Sequence, residues 1–255
     1  KLAQELTIKE EQAKAAIQLI DEGNTIPFIA RYRKEMTGAL NDETLRNLHE
    51  RLLYLRNLEE KKEQVINAIT EQDKMTDDLK KKILAAETLV AVDDLYRPYR
   101  PKKQTRATKA KEKGLEPLAN ILLLQATSKS MEEEAQSFVD EAKGVTNAKE
   151  ALAGAKDIIA EMIADKADYR KSIRNCTMKQ GRLVVKAKDE KAESVYEMYY
   201  DFSEELSKIT GYRVLAINRG EKEKFLTVKV EAPDAQIVNA LNKTMIKDNP
   251  NTKTL

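Results

Sequence analysis

The chain has one cysteine, one histidine, no tryptophan, eight glycines and six prolines among 255 residues. Each shortage closes off a class of protein. Cys176 has no second cysteine for an internal disulfide and is expected to be buried and inert. With His49 as the sole imidazole, the chain lacks the His/Cys cluster that holds zinc. So few glycines and prolines leave little turn chemistry for a sheet-rich fold, and neither a P-loop nor a Gly-x-Gly-x-x-Gly phosphate cradle is present. No apolar run approaches the ~18 residues of a membrane span, and the first ten residues carry neither the apolar stretch nor the cleavage site of a signal peptide. These absences predict a cytoplasmic chain with no membrane contact, no metal, no cofactor and no small-molecule substrate.

What is abundant is charge. Lys and Arg total 45 against 43 Asp and Glu, 35% of the chain, for a net charge of only +2. That balance, beside 41% hydrophobic residues, favours long exposed helices around one or two cores.

The periodicities agree. Thr7 and Glu10 read as a capping box opening a helix over about 8–22, with Ala13, Ala16, Ile17 and Ile20 at helical spacing and Gly23 as its stop. Pro27 and Gly38 bracket a short helix over 27–36. A third helix, longer than 25 residues, starts near Asn41 and carries Leu45, Leu48, Leu52, Leu55, Leu58, Val65, Ile66 and Ile69 on one stripe. Thr76 caps a fourth, and Pro98 and Pro101 then require an extended stretch.

Further on, Asn147 and Glu150 open a helix expected to reach about Arg174. Gly154 inside it costs about 1 kcal/mol relative to Ala and predicts close approach of another backbone. Alternation at Leu183, Val185 and Ala187, and again at Leu226, Val228 and Val230, predicts two strands, and a last helix carries Ile237, Leu241 and Met245. The expected fold is mainly α: an elongated multi-helix scaffold with a helix-turn-helix-like N-terminal part and a small β element near the C-terminus. Its regions are 1–75, 76–175 with a basic Pro-containing segment 96–113, and a mixed α/β region 176–255.

Charge is polarised along the chain. Between Tyr96 and Lys113, Arg97, Arg100, Lys102, Lys103, Arg106, Lys109, Lys111 and Lys113 face the single acid Glu112, so these 18 residues carry +7 and the remainder −5. A Pro-stiffened basic loop with Tyr99 interleaved suits a phosphate backbone, because its cations displace condensed counterions and its rings offer stacking faces. Charges solvated or paired with acidic helix faces are the alternative. The short helix over 27–36 would hold Phe28 and Tyr32 on one face and present Arg31, Arg33 and Lys34 on another. The adjacent Asp93 and Asp94 lack the further acids that metal-assisted catalysis needs, and Asn242-Lys-Thr244 matches a glycosylation acceptor by chance. No active site is legible.

Thr25-Ile-Pro-Phe-Ile-Ala-Arg-Tyr-Arg-Lys-Glu-Met-Thr-Gly38 and Asp93-Asp-Leu-Tyr-Arg-Pro-Tyr-Arg-Pro-Lys-Lys-Gln-Thr-Arg-Ala-Thr108 resemble the Tex family of bacterial transcription accessory proteins. The likeness continues through Glu112–Leu118, Ala151–Glu161 and Arg213–Glu221, with Tyr212 where the family usually has His. The resemblance implies a non-enzymatic nucleic-acid-binding factor related to Spt-class elongation factors. It also implies that the RNase-H-like, helix-hairpin-helix and OB-fold domains of such proteins lie outside this chain, which then reads as a piece of something longer.

Two functional readings stay open. In one, Arg31, Arg33, Lys34 and the 97–113 stretch contact RNA or DNA directly. In the other, the chain is a docking scaffold for RNA polymerase or the ribosome, with Arg31, Arg33, Arg97 and Arg100 locked in internal ion pairs. A nuclease or phosphoryl-transfer enzyme would rest on Asp93 and Asp94 alone.

Overall fold

A computed structural model describes residues 1–101 and 103–247, and the chain divides into two compact units, Lys1–Tyr96 and Arg97 onward. The fold is mainly α with a small antiparallel sheet near the C-terminal end.

The first unit is helical: α1 (Leu2–Glu5), α2 (Glu10–Asp21), α3 (Ile26–Tyr32), α4 (Asp42–Thr70), α5 (Asp77–Ala85) and α6 (Leu89–Tyr96). The 29-residue α4 starts where Asn41 Oδ1 accepts the Thr44 N–H at 2.7 Å, with Asp42 and Glu43 in the electropositive first turn. Its Leu45 and Leu48 close a core with Ala13, Ala16 and Leu19 of α2 and Ile29 of α3, all buried. Farther along, Leu52, Leu58, Val65 and Ile69 are buried on the same stripe. Two forked arginines tie α4 to the helices before it: Arg51 to Glu5 at 2.5 and 2.9 Å, and Arg56 to Asp21 at 2.7 and 2.8 Å. Hydrogen bonding from these guanidinium groups holds both carboxyls below the usual carboxylate range. The Lys62 ammonium, almost wholly buried, donates to Glu59 at 2.8 Å and to the Leu84 carbonyl at the end of α5 at 2.9 Å.

Two expectations for this unit need correcting. Thr7 does not cap α2. The extra turn α1 closes ahead of it, with the Ile8 N–H donating to the Ala3 carbonyl at 3.0 Å, and leaves Thr7 left-handed at φ +55°. Gln12 does the capping instead, its Oε1 accepting the Lys9 N–H at 3.0 Å. The short helix also ends at Tyr32 rather than 36, because the buried Thr37 hydroxyl donates to the carbonyls of Arg33 and Lys34, each at 3.3 Å. The chain then turns through Gly38 and Ala39 at φ +60° and +62°, and the Gln12 amide pins that turn by donating to the carbonyls of Thr37 and Gly38.

The second unit opens with a single tight turn, Arg97–Tyr99, followed by α7 (Arg106–Glu112), α8 (Glu116–Leu124), α9 (Met131–Gln136), α10 (Ala148–Asp165) and α11 (Ala167–Gln180). Then come β1 (Arg182–Ala187), β2 (Asp201–Glu205), α12 (Gly211–Lys222), β3 (Leu226–Glu231) and α13 (Asp234–Met245). Asn147 caps α10 through the Glu150 N–H at 2.9 Å, while the Glu150 carboxylate reaches back one residue farther than a capping box requires, to the Thr146 N–H. Ala151, Ala155 and Ile158 of α10 bury against Ala107 and Ala110 of α7 and Leu118 and Leu122 of α8. At Gly154, an added Cβ would lie 2.4 Å from Leu115 Cδ1 and 3.2 Å from Ala110 Cβ, so the close neighbours are side chains and not the backbone expected.

The expected helix to Arg174 is two helices. Lys166, at ψ 115°, breaks the run without any Pro or Gly, directly after the buried Asp165 that anchors Arg97. The sheet has three strands in the order β2-β1-β3, with Val185 opposite both Phe202 and Val228. Sequence alternation missed β2, whose Asp-Phe-Ser-Glu-Glu lacks β-branched residues. It is held by the ladder to β1, by Arg182 donating to Ser203 Oγ at 2.9 Å, and by Arg213 paired with Glu204 at 2.7 Å. Leu183, Val185, Tyr196, Tyr199, Ile217 and Leu226 form the core beneath the sheet. Cys176 is half-buried, more open than its expected core position.

Candidate nucleic-acid interface

In the first unit, the basic residues sit at and just beyond the end of α3. Ile29 is wholly buried and anchors the helix, while Arg31, Arg33 and Lys34 are exposed with no carboxylate partner among the described residues. The internal ion pairs offered as the alternative for Arg31 and Arg33 are therefore not found there. Arg33 does not sit on a face separate from the rings: its guanidinium lies 5.3 Å from the centre of the Phe28 ring, and its Nη1 donates to the Tyr32 carbonyl at 3.4 Å. Phe28 and Tyr32, one helical turn apart, stand 5.2 Å centre to centre, with Tyr32 66% exposed.

In the second unit the basic segment is half helix, which corrects its reading as a loop. Thr105 Oγ1 accepts the Thr108 N–H at 3.0 Å to start α7 and donates to Glu161 of α10 at 3.0 Å, while Ala107 and Ala110 face the core. Helix geometry then sorts the cations by partner. Arg97 donates from Nε to Asp165 at 2.9 Å, Arg106 stands 3.5 Å from Asp157, and Lys111 stands 3.9 Å from Glu116. Lys113 donates to the Gly144 carbonyl at 2.7 Å. Lys103 and Lys109 are exposed and have no carboxylate partner among the described residues. Arg100 is exposed and Tyr99 half-buried; Lys102 lies outside the described residues.

A groove runs between this segment and the end of α10, with Arg100, Thr108 and Lys111 on one wall and Glu161, Asp165 and Lys166 on the other. Its mixed charge makes it a poor phosphate cradle, and the exposed Lys103 and Lys109 fit a polyanion better. The acids that consume cations here were not legible in advance: Asp165 and Asp157 lie 68 and 51 residues from the arginines they hold, and no local pattern links them. Asp93 takes Lys61 at 3.7 Å, Asp94 is buried, and His49 is half-buried on α4. Among the described residues, no group of three or more His, Cys, Asp or Glu side chains stands close enough to hold a metal ion, and no helix is long and apolar enough to cross a membrane.

Comparison with known proteins covers most of the chain. Residues 1–70 match the model of the Tex-like protein N-terminal domain, and residues 126–254 match the Tex central region-like model. The uncharacterized protein YdcI of Bacillus subtilis is 44% identical over 250 residues, which are 97% of this chain and 35% of that protein. The transcriptional accessory protein Tex of Neisseria gonorrhoeae is 42% identical over 90% of this chain and 30% of its own length. The human S1 RNA-binding domain-containing protein 1 is 33% identical over 86% of this chain and 22% of its own length. The chain thus spans about a third of the length of the relatives it most resembles among these. Two family models in consecutive order, on a mainly helical chain with one small sheet, place it plainly: the chain belongs to the Tex family.

Proposed function

We propose that the chain is the N-terminal part of a nucleic-acid-associated transcription accessory factor and contacts the backbone of RNA or DNA through basic surfaces, without catalysis. The observation that carries this reading is the concentration of eight cations against one acid between Tyr96 and Lys113, with Lys103 and Lys109 turned outward. Arg31 of α3 with Arg33 and Lys34 just past its end supply a second basic surface in the other unit. The names of the relatives support it: one is a transcriptional accessory protein and another carries an S1 RNA-binding domain. No metal, cofactor or small-molecule substrate is part of this proposal, and a cytoplasmic site of action beside RNA polymerase would suit it.

The test is fluorescence anisotropy with labelled RNA and DNA at about 50 and 200 mM salt, where six or more phosphate contacts cost roughly 1,000-fold in affinity. Lys103→Gln with Lys109→Gln should flatten the salt dependence by about one phosphate contact per lysine. Absence of binding at low salt would refute it, and metal-dependent cleavage of the RNA would refute its non-enzymatic part. A specific observation favours a second reading, a protein-docking scaffold for RNA polymerase or the ribosome: Arg97, Arg106 and Lys111 already stand beside acids of their own unit. A Tm that collapses in Arg97→Ala with Arg106→Ala, at unchanged nucleic-acid affinity, would decide for it.

A further inference from the structure

The rings on α3 ask for an occupant that the charges alone do not specify. Phe28 is 37% exposed, Tyr32 66% and Met36 52%, so an apolar and aromatic surface stands in water beside three cations without carboxylate partners among the described residues. Apolar side chains grouped and rimmed by cations in this way mark a surface suited to a partner.

The backbone under it is fixed. Ile29 is buried in the core on the opposite side of α3, and the Thr37 hydroxyl and Gln12 amide hold the turn that follows, so Arg33 and Lys34 leave the helix in set positions. The Arg33 guanidinium already lies over one face of Phe28, whereas Tyr32, tilted 44° to Phe28, keeps most of its surface in solvent.

The geometry points to a single-stranded nucleic acid as the occupant, an unpaired base stacking on Tyr32 and Phe28 while Arg31, Arg33 and Lys34 take the flanking phosphates. This rests on the nucleic-acid reading above and narrows it. A duplex hides its base faces within its own stack and offers only phosphates and groove edges, which rings on a convex helix do not read. A single strand offers both parts at once, a π-face for each ring and a phosphate for each cation, without regard to sequence. An acidic peptide would satisfy the cations but leave Tyr32 and Phe28 in water.

The experiment uses the 255-residue chain, a labelled twelve-nucleotide oligo(U), a twelve-base-pair duplex, and two variants whose fold is verified by circular dichroism. Tyr32→Leu with Phe28→Leu keeps a helix-compatible apolar face without rings, and Arg31→Gln with Lys34→Gln keeps the rings without two charges. The expected result is preference for oligo(U), a loss of roughly 5- to 150-fold per stacked base in the ring variant, and unchanged duplex affinity. The charge variant should weaken both ligands and flatten their salt dependence. Equal loss on both ligands in the ring variant, or no loss on either, overturns the stacking site. If the charge variant still weakens binding in that case, the nucleic-acid reading survives. Failure to bind either ligand at 50 mM salt overturns both readings, and displacement of oligo(U) by polyglutamate at equal charge concentration would assign the surface to an acidic protein.

Discussion

Gly154→Ala isolates how tightly α10 seats against its neighbours. In an exposed helix interior this change would stabilise by about 1 kcal/mol, since alanine recovers the backbone entropy that glycine loses. Here the new methyl would meet Leu115 Cδ1 at 2.4 Å and Ala110 Cβ at 3.2 Å. Ala110 can yield a few tenths of an ångström, but Leu115 is 1% exposed and packed within the core cluster of this unit. Overpacking of this kind costs about 1–3 kcal/mol, so the net effect is destabilisation by roughly 1 kcal/mol. With a urea slope of about 2 kcal/mol per molar, the midpoint followed by circular dichroism should fall by about 0.5 M. Leu115→Ala alone should cost about 2–5 kcal/mol, yet it removes the obstructing methyl. In that background Gly154→Ala should change sign and raise the midpoint. The same shift in both backgrounds, or a rise in the wild type, would refute the assignment of that space to Leu115.

Two further outcomes follow from the first unit. Asn41→Ala should cost about 1 kcal/mol by freeing the Thr44 N–H at the start of α4, whereas Thr7→Gly should raise the melting temperature, because glycine relieves a β-branched residue held at φ +55°; a cap at Thr7 would give the opposite sign. Glu5 and Asp21 carry carboxyls depressed by hydrogen bonds from Arg51 and Arg56, so their stabilisation is in place above the ordinary carboxylate range and is lost as pH falls through their lowered folded values. The stability gap between wild type and Arg51→Gln should accordingly be the same at pH 7 and 6 and close as the solution is taken toward pH 3, and urea midpoints that kept the gap would exclude the pairing.

Much of the helical order was legible because its signals are local. Asn41, Thr76 and Asn147 each bond a backbone N–H three residues on, and the stripe from Leu45 to Ile69 repeats at the helical period. What escaped has non-local causes. β2 owes its conformation to β1 across the ladder, the break at Lys166 coincides with an anchor for Arg97, and α7 forms inside a basic segment because Ala107 and Ala110 find a core that the sequence does not display. The candidate interface divides the same way. That Arg31, Arg33 and Lys34 lie close to Phe28 and Tyr32 could be read from their spacing, but their freedom from ion pairs could not, and the sorting of the 97–113 cations depends on acids in α10 and α8.

The buried ammonium of Lys62 makes the first unit report on itself. Most lysines here are exposed to any amine-reactive label, whereas Lys62 is closed in between Glu59 and the last turn of α5. Its acylation requires α5 to lift away, and once acylated it loses the charge that holds Glu59 and leaves the Leu84 carbonyl without its donor, so the helix cannot settle back as before. Labelling at this lysine is therefore a one-way clock for the opening of α5, counted in modified molecules and legible by mass spectrometry.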